Sequence, residues 1–73
     1  MKLSDLSPGQ SGCIILMPES LKMRLGKMGF VRGSQVRCLF RAPAGDPTAY
    51  LVKGVAVALR QKDAVNIEVS QWD

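Results

Sequence analysis

The 73-residue chain contains no histidine and only two cysteines, Cys13 and Cys38. Histidine is the side chain that most often transfers protons near neutral pH, and it is the commonest metal ligand. The six carboxylates that remain are scattered, and most of them fall in turns or at a terminus. No Cys-x-x-Cys pair and no phosphate-binding glycine loop is present. We therefore predict a protein that is not an enzyme, has no catalytic or metal-binding residues, and holds no cofactor beyond weak transition-metal binding.

Aromatic residues and long apolar runs are also scarce. With 5% aromatic residues, the core must be aliphatic, and 47% hydrophobic residues argue against disorder. We expect one domain over residues 1–73. No run approaches the roughly 18 apolar residues of a membrane span, so a membrane is expected to be reached only through a partner. The first residues do not resemble a signal peptide, which favours a cytoplasmic location and reduced cysteines. A Cys13–Cys38 disulfide remains an alternative.

The segment 41–47, Arg-Ala-Pro-Ala-Gly-Asp-Pro, predicts a tight reversal between two strands. Asp46 is expected to accept a hydrogen bond from its own turn. Residues 35–41 alternate, which places Val36, Cys38 and Phe40 on one buried face. The other predicted strands cover residues 12–17, 48–53, 55–60 and 66–69, and residues 70–73 are expected to form a tail.

A helix is expected directly after the first strand. Pro18 and Glu19 suit its first turn, and Leu21, Leu25 and Met28 form an apolar stripe at helical spacing. Gly29 is placed to end it in a left-handed conformation. Five short strands and one helix in so short a chain predict a mainly β fold, a small closed or nearly closed barrel with the short α-helix inserted after the first strand.

Protein recognition is the function class that the remaining features favour. Basic residues lie off the apolar stripe of the helix, and the first strand is apolar on both faces, so its outer face either is covered within the fold or contacts a partner. Its outward residues, Cys13, Ile15 and Met17, would form an apolar contact strip that supports weak self-association. Tryptophan and arginine are also preferred interface anchors. The candidate partner-binding residues are Lys22, Arg24, Lys27, Arg32, Cys13, Ile15, Met17 and Trp72.

Two alternatives remain open. Small barrels can bind single-stranded nucleic acid by stacking bases on aromatic side chains in a basic groove. Tyr50 and Trp72 could stack bases, whereas Phe30 and Phe40 are expected in the core. The net charge of +4 is modest and no aromatic–basic interleaving is present, so we favour no nucleic-acid partner. The second alternative is a metal-responsive module that uses a cysteine.

Several short motifs, each present once, are distributed over nearly the whole chain. They are Leu-Ser-Pro-Gly at 6–9, Leu-Gly-Lys-Met-Gly-Phe at 25–30 with Gly33, the segment 41–47, Gly54, and Ala-Leu-Arg at 58–60. In these motifs the chain resembles the FeoA family, small cytosolic proteins of bacterial ferrous iron uptake. The resemblance implies an SH3-like β-barrel and a non-enzymatic accessory role. The partner it implies is FeoB, a membrane ferrous iron transporter with a cytosolic GTP-binding domain, whose activity the chain would modulate.

Overall fold

The computed structural model describes residues 1–72, the last of them by its backbone only. Five antiparallel strands form one sheet in the order β4-β3-β2-β1-β5. The predicted five strands and the helix after the first strand are confirmed. The elements are a 3₁₀ turn (Leu3–Asp5), β1 (Ser11–Leu16), α1 (Glu19–Gly26), β2 (Gln35–Arg41), β3 (Thr48–Val52), β4 (Val55–Leu59), α2 (Gln61–Ala64) and β5 (Glu68–Trp72).

The core is aliphatic except for two aromatic rings. Alternate residues of β2 and β3 point inward, and Cys38 is buried among them, as predicted. Phe30 and Tyr50 are the two largest buried side chains. Burial raises the pKa of the Tyr50 hydroxyl to about 12. Because its side chain is only 1% exposed, Tyr50 cannot stack on a base, and its expected role in the nucleic-acid alternative is wrong.

Two β-bulges place several strand residues on the opposite face of the sheet from the one predicted. One lies between Ile14 and Leu16 in the pairing of β1 with β5, and the other lies between Cys38 and Phe40 in the pairing of β2 with β3. A bulge inserts one unpaired residue, so every side chain beyond it changes face. Phe40, expected in the core, is 61% exposed, and Met17, expected on the surface, is only 6% exposed.

The helix α1 ends earlier than its apolar stripe indicates. It stops at Gly26, and Met28 lies beyond it with an exposed side chain, so the assignment of Met28 to the buried stripe is wrong. Gly29 does adopt the left-handed conformation, with φ of +96°. Its conformation reverses the chain so that the N–H of Phe30 donates to the carbonyl oxygen of Leu25 at 3.2 Å. The chain then continues toward β2 with Phe30 in the core.

The turn between β2 and β3 is anchored to distant elements. The carboxylate of Asp46 does not bond its own turn as predicted; its Oδ1 accepts from the backbone N–H of Gln61 at 2.9 Å. The residue that precedes α2, Arg60, supplies no side-chain cap, so Asp46 caps this helix from across the fold. On the other side of the turn, the guanidinium of Arg41 donates to the carbonyl oxygens of Ser4 and Leu6.

The chain end is a strand where a tail was expected. β5 extends to Trp72, whose backbone pairs with Ser11, while the predicted contact role of the Trp72 side chain lies outside the described residues. The two backbones approach closely at Gly12, where an added Cβ would lie 2.7 Å from the carbonyl oxygen of Ser70. Among the helices that the structure describes, none has the length and apolar character needed to cross a membrane.

Candidate functional site

An apolar groove with a basic rim lies where β1 extends beyond β2. Its volume is about 230 Å³, and it lies between the end of β1, the first turn of α1 and the loop that leads to β2. We call it the β1 groove. It is lined by Ile15, Leu16, Met17, Lys22, Phe30, Val31 and Arg32.

The bulge in β1 creates one wall of the β1 groove. Because the bulge follows Ile14, two consecutive side chains, Ile15 and Leu16, turn outward, and Leu16 is 64% exposed. Met17 then points inward and forms the floor with Phe30, since both side chains are buried. Because of the bulge, the end of β1 exposes two consecutive apolar side chains instead of alternating exposed and buried ones.

Hydrogen bonds to β1 hold the opposite wall. The loop before β2 is fastened to Ile14, whose N–H donates to the carbonyl oxygen of Ser34 at 2.9 Å and whose carbonyl oxygen accepts from Gly33 at 2.7 Å. Gly33 has a φ of +90°, which favours glycine. This fastening holds the loop beside the end of β1, where Val31 and Arg32 line the β1 groove together with Leu16.

The rim of the β1 groove is positively charged. Lys22 and Arg32 line it, and no carboxylate does so among the residues that the structure describes. The Nζ of Lys22 lies 2.9 Å from Glu19 Oε1, but both side chains are more than half exposed, so solvent weakens this pair. Arg32 makes no ion pair within residues 1–72.

The predicted partner-binding residues divide between this groove and other places. Ile15, Lys22 and Arg32 converge on the rim, but the expected strip of Cys13, Ile15 and Met17 does not exist. Met17 lies beneath the surface because of the bulge. Leu16 and Val31 were missed, and no sequence signal marked them, since one apolar residue beside another does not reveal a bulge.

The basic face of α1 does not form one surface either. Arg24 Nη2 donates to Asp63 Oδ2 at 2.8 Å, which joins α1 to α2 and offsets the charge of the guanidinium. Lys27 lies beside Met28 and Lys53 in a separate depression. Of the four basic residues proposed from the sequence, two face the β1 groove.

Comparison with known proteins identifies the family. The family model of the FeoA domain matches residues 1–71. The chain belongs to the FeoA domain family. An Fe(2+) transport protein A/Fe(2+) transporter FeoB fusion protein of Porphyromonas gingivalis is 35% identical over 71 residues. These residues are 94% of this chain and 8% of the fusion protein, so the chain spans a small part of that relative's length.

Solved FeoA structures confirm the SH3-like fold. The solution structure of FeoA from Chlorobium tepidum superposes with a TM-score of 0.93 at 31% identity, over 100% of this chain and 71% of that one. The crystal structure of Stenotrophomonas maltophilia FeoA complexed with zinc, described as a prokaryotic SH3 domain protein, has a TM-score of 0.81 at 30% identity. That alignment covers 99% of this chain and 95% of the other.

The cysteines of this FeoA domain are both free thiols. Cys13 pairs with Gln35 on the half-exposed face of β1, whereas Cys38 lies three residues further along β2 and points into the core. Burial raises the pKa of the Cys38 thiol, and the nearby charge of Arg41 offsets part of this rise. The Cys13–Cys38 disulfide that the sequence allowed as an alternative is therefore not formed. Residues 1–72 contain no group of three or more cysteine or carboxylate side chains placed to hold a metal ion.

Proposed function

We propose that this FeoA domain is a non-enzymatic accessory component of ferrous iron uptake that associates with a FeoB transporter and modulates its activity. The observation that carries the proposal is the Porphyromonas gingivalis relative, in which a similar domain and FeoB share one polypeptide. Covalent fusion keeps two modules at a high effective concentration, which is useful when they act on each other. A separate chain would have to achieve the same association through its own surface.

The structure supplies a surface suited to such association. The β1 groove exposes contiguous apolar side chains beside two cations, whereas the polar residues that general acid–base chemistry needs are dispersed. We further propose a cytoplasmic location, contact with the membrane only through the transporter, and activity without a bound cofactor. Titration with Fe²⁺ or Zn²⁺ checks the proposal that the protein acts without a bound cofactor. Stoichiometric binding that raises the melting temperature would contradict this proposal.

Binding to the transporter is the direct test. Full-length FeoB in lipid nanodiscs is immobilised, and the purified chain is passed over it with no nucleotide, with GDP and with a non-hydrolysable GTP analogue. We expect saturable binding whose affinity differs between the nucleotide states. Empty nanodiscs serve as the control. Absence of binding in all three states, together with unchanged Fe²⁺ uptake when the gene is deleted, would refute the proposal.

A further inference from the structure

We infer that the β1 groove binds a partner segment that inserts one large apolar side chain between Leu16 and Val31 and places carboxylates beside Lys22 and Arg32. This inference deepens the proposed function, and it rests on that proposal only for the identity of the partner. The chemistry of the segment, an apolar residue flanked by Asp or Glu, follows from the groove itself.

The size of the groove limits what can occupy it. Small-molecule pockets usually measure about 300–1,000 Å³ and enclose most of the ligand. The β1 groove, at about 230 Å³, is smaller and open on one side, so it suits one protruding side chain of a peptide. Its walls are aliphatic and its floor consists of Met17 and the ring of Phe30, which favours an apolar occupant.

The charges at the groove select among apolar partners. Carboxylates on the segment would complement Arg32, which has no ion pair within the described residues, and Lys22, whose exposed pair with Glu19 is easily exchanged. A second copy of this chain fits poorly, because a net charge of +4 and the same two cations would face each other. An acidic, apolar segment of another protein is therefore the occupant that the observations favour over self-association.

The groove is largely preformed. Two backbone hydrogen bonds to Ile14 fasten the loop that carries Val31 and Arg32, and the floor is part of the core. A preformed site loses little conformational freedom on binding, so a few contacts suffice for measurable affinity. Leu16, as the most exposed of the wall residues, is the contact most available to a partner.

The test uses the whole chain and four exposed positions. Leu16→Ser and Arg32→Glu alter the groove, while Met23→Ser and Arg37→Glu make the same chemical changes at exposed positions that do not line it. All four side chains lie on the surface, so thermal melts should remain close to the wild type. We expect the two groove variants to bind FeoB nanodiscs about tenfold or more weakly, as for interface anchor residues, and the two controls to bind normally.

A second experiment does not depend on FeoB. A random peptide library is displayed on phage, selected on the wild-type chain and counter-selected on Leu16→Ser. We expect enriched peptides with one large apolar residue flanked by Asp or Glu. Replacing their acidic residues with lysine should weaken binding to the wild type and restore binding to Arg32→Glu.

The two experiments separate the possible failures. If wild-type chain does not bind FeoB but the library yields acidic, apolar peptides that require Leu16, the proposed partner is wrong and the inference about the groove stands. If FeoB binds equally to the wild type and to both groove variants, the inference is wrong and the proposed function stands. A library that yields no enrichment, or basic peptides, also overturns the inference.

Discussion

Replacing Gly12 with alanine should destabilise this domain strongly, because the added methyl group has no space. The Cβ would lie 2.7 Å from the backbone carbonyl oxygen of Ser70, whereas ordinary contacts begin near 3.4 Å. A backbone oxygen cannot rotate away, so β1 and β5 would have to separate by roughly 0.7 Å, the difference between these two distances. The separation would strain the ladder in which Cys13 pairs with Ser70.

The expected cost is that of overpacking, about 1–3 kcal/mol. For a domain of this size, each kcal/mol corresponds to about 4–8 °C in melting temperature. Since a core this small provides only about 3–5 kcal/mol in total, Gly12→Ala should remove a large share of the stability. Urea unfolding followed by far-UV circular dichroism measures the change in free energy directly.

Gly26→Ala provides the matched control. Gly26 is the last residue of α1, its φ is not positive, and beyond its chain neighbours and the backbone of its own helix no atom lies within 4 Å of an added Cβ. Alanine should therefore stabilise the protein by about 0.4–1 kcal/mol through its greater helix propensity and the reduced freedom of the unfolded chain. A Gly12→Ala variant as stable as the wild type, or equal losses in both variants, would refute the reasoning.

Three further predictions follow from the polar and titratable groups. Asp46→Ala should cost about 1 kcal/mol in urea unfolding because it removes the cap of α2, whereas Lys22→Ala, which breaks only an exposed pair, should cost less; equal losses would contradict the capping role. Cys13 should react rapidly with a thiol reagent while Cys38 reacts only on unfolding, and rapid release of two equivalents would contradict the burial of Cys38. Tyr50, the only tyrosine, should ionise near pH 12 in the folded protein and near its usual value of about 10 in urea, as followed by ultraviolet absorbance. Because the pKa of Tyr50 is higher in the folded state than in the unfolded state, its contribution to the free energy of unfolding is intact below pH 10. This contribution declines as the pH rises from 10 to 12.

Most of the fold could be predicted from the sequence, because alternation and turn residues are local signals. The strand 35–41 and the buried Cys38 follow from alternation, and the helix start at Glu19 follows from the residues that prefer a first turn. Phe40 and Met17 were misplaced for one shared reason: each follows a β-bulge, and a bulge is set by pairing with another strand. Before each bulge the predicted face is correct, and after it the predicted face is reversed.

The candidate site was harder to predict from the sequence, because it depends on contacts between distant segments. Lys22 and Arg32 were recognised as basic surface residues, but only folding brings them to the same groove. Arg24 looked equivalent to them until its contact with Asp63, 39 positions away, was known. Asp46 likewise carried a clear turn signal that concealed a longer-range role.

The anchored turn between β2 and β3 has a consequence for protein engineering. Exposed hairpin tips are usually the first choice for inserting an affinity tag or a fluorescent label. Here the tip is fastened on one side by Asp46 to α2 and on the other by Arg41 to the 3₁₀ turn and to Leu6 directly after it. An insertion at Gly45 would disturb both attachments. The turn at Lys53 and Gly54, which has no such attachments among the described hydrogen bonds, is the better position for a reporter.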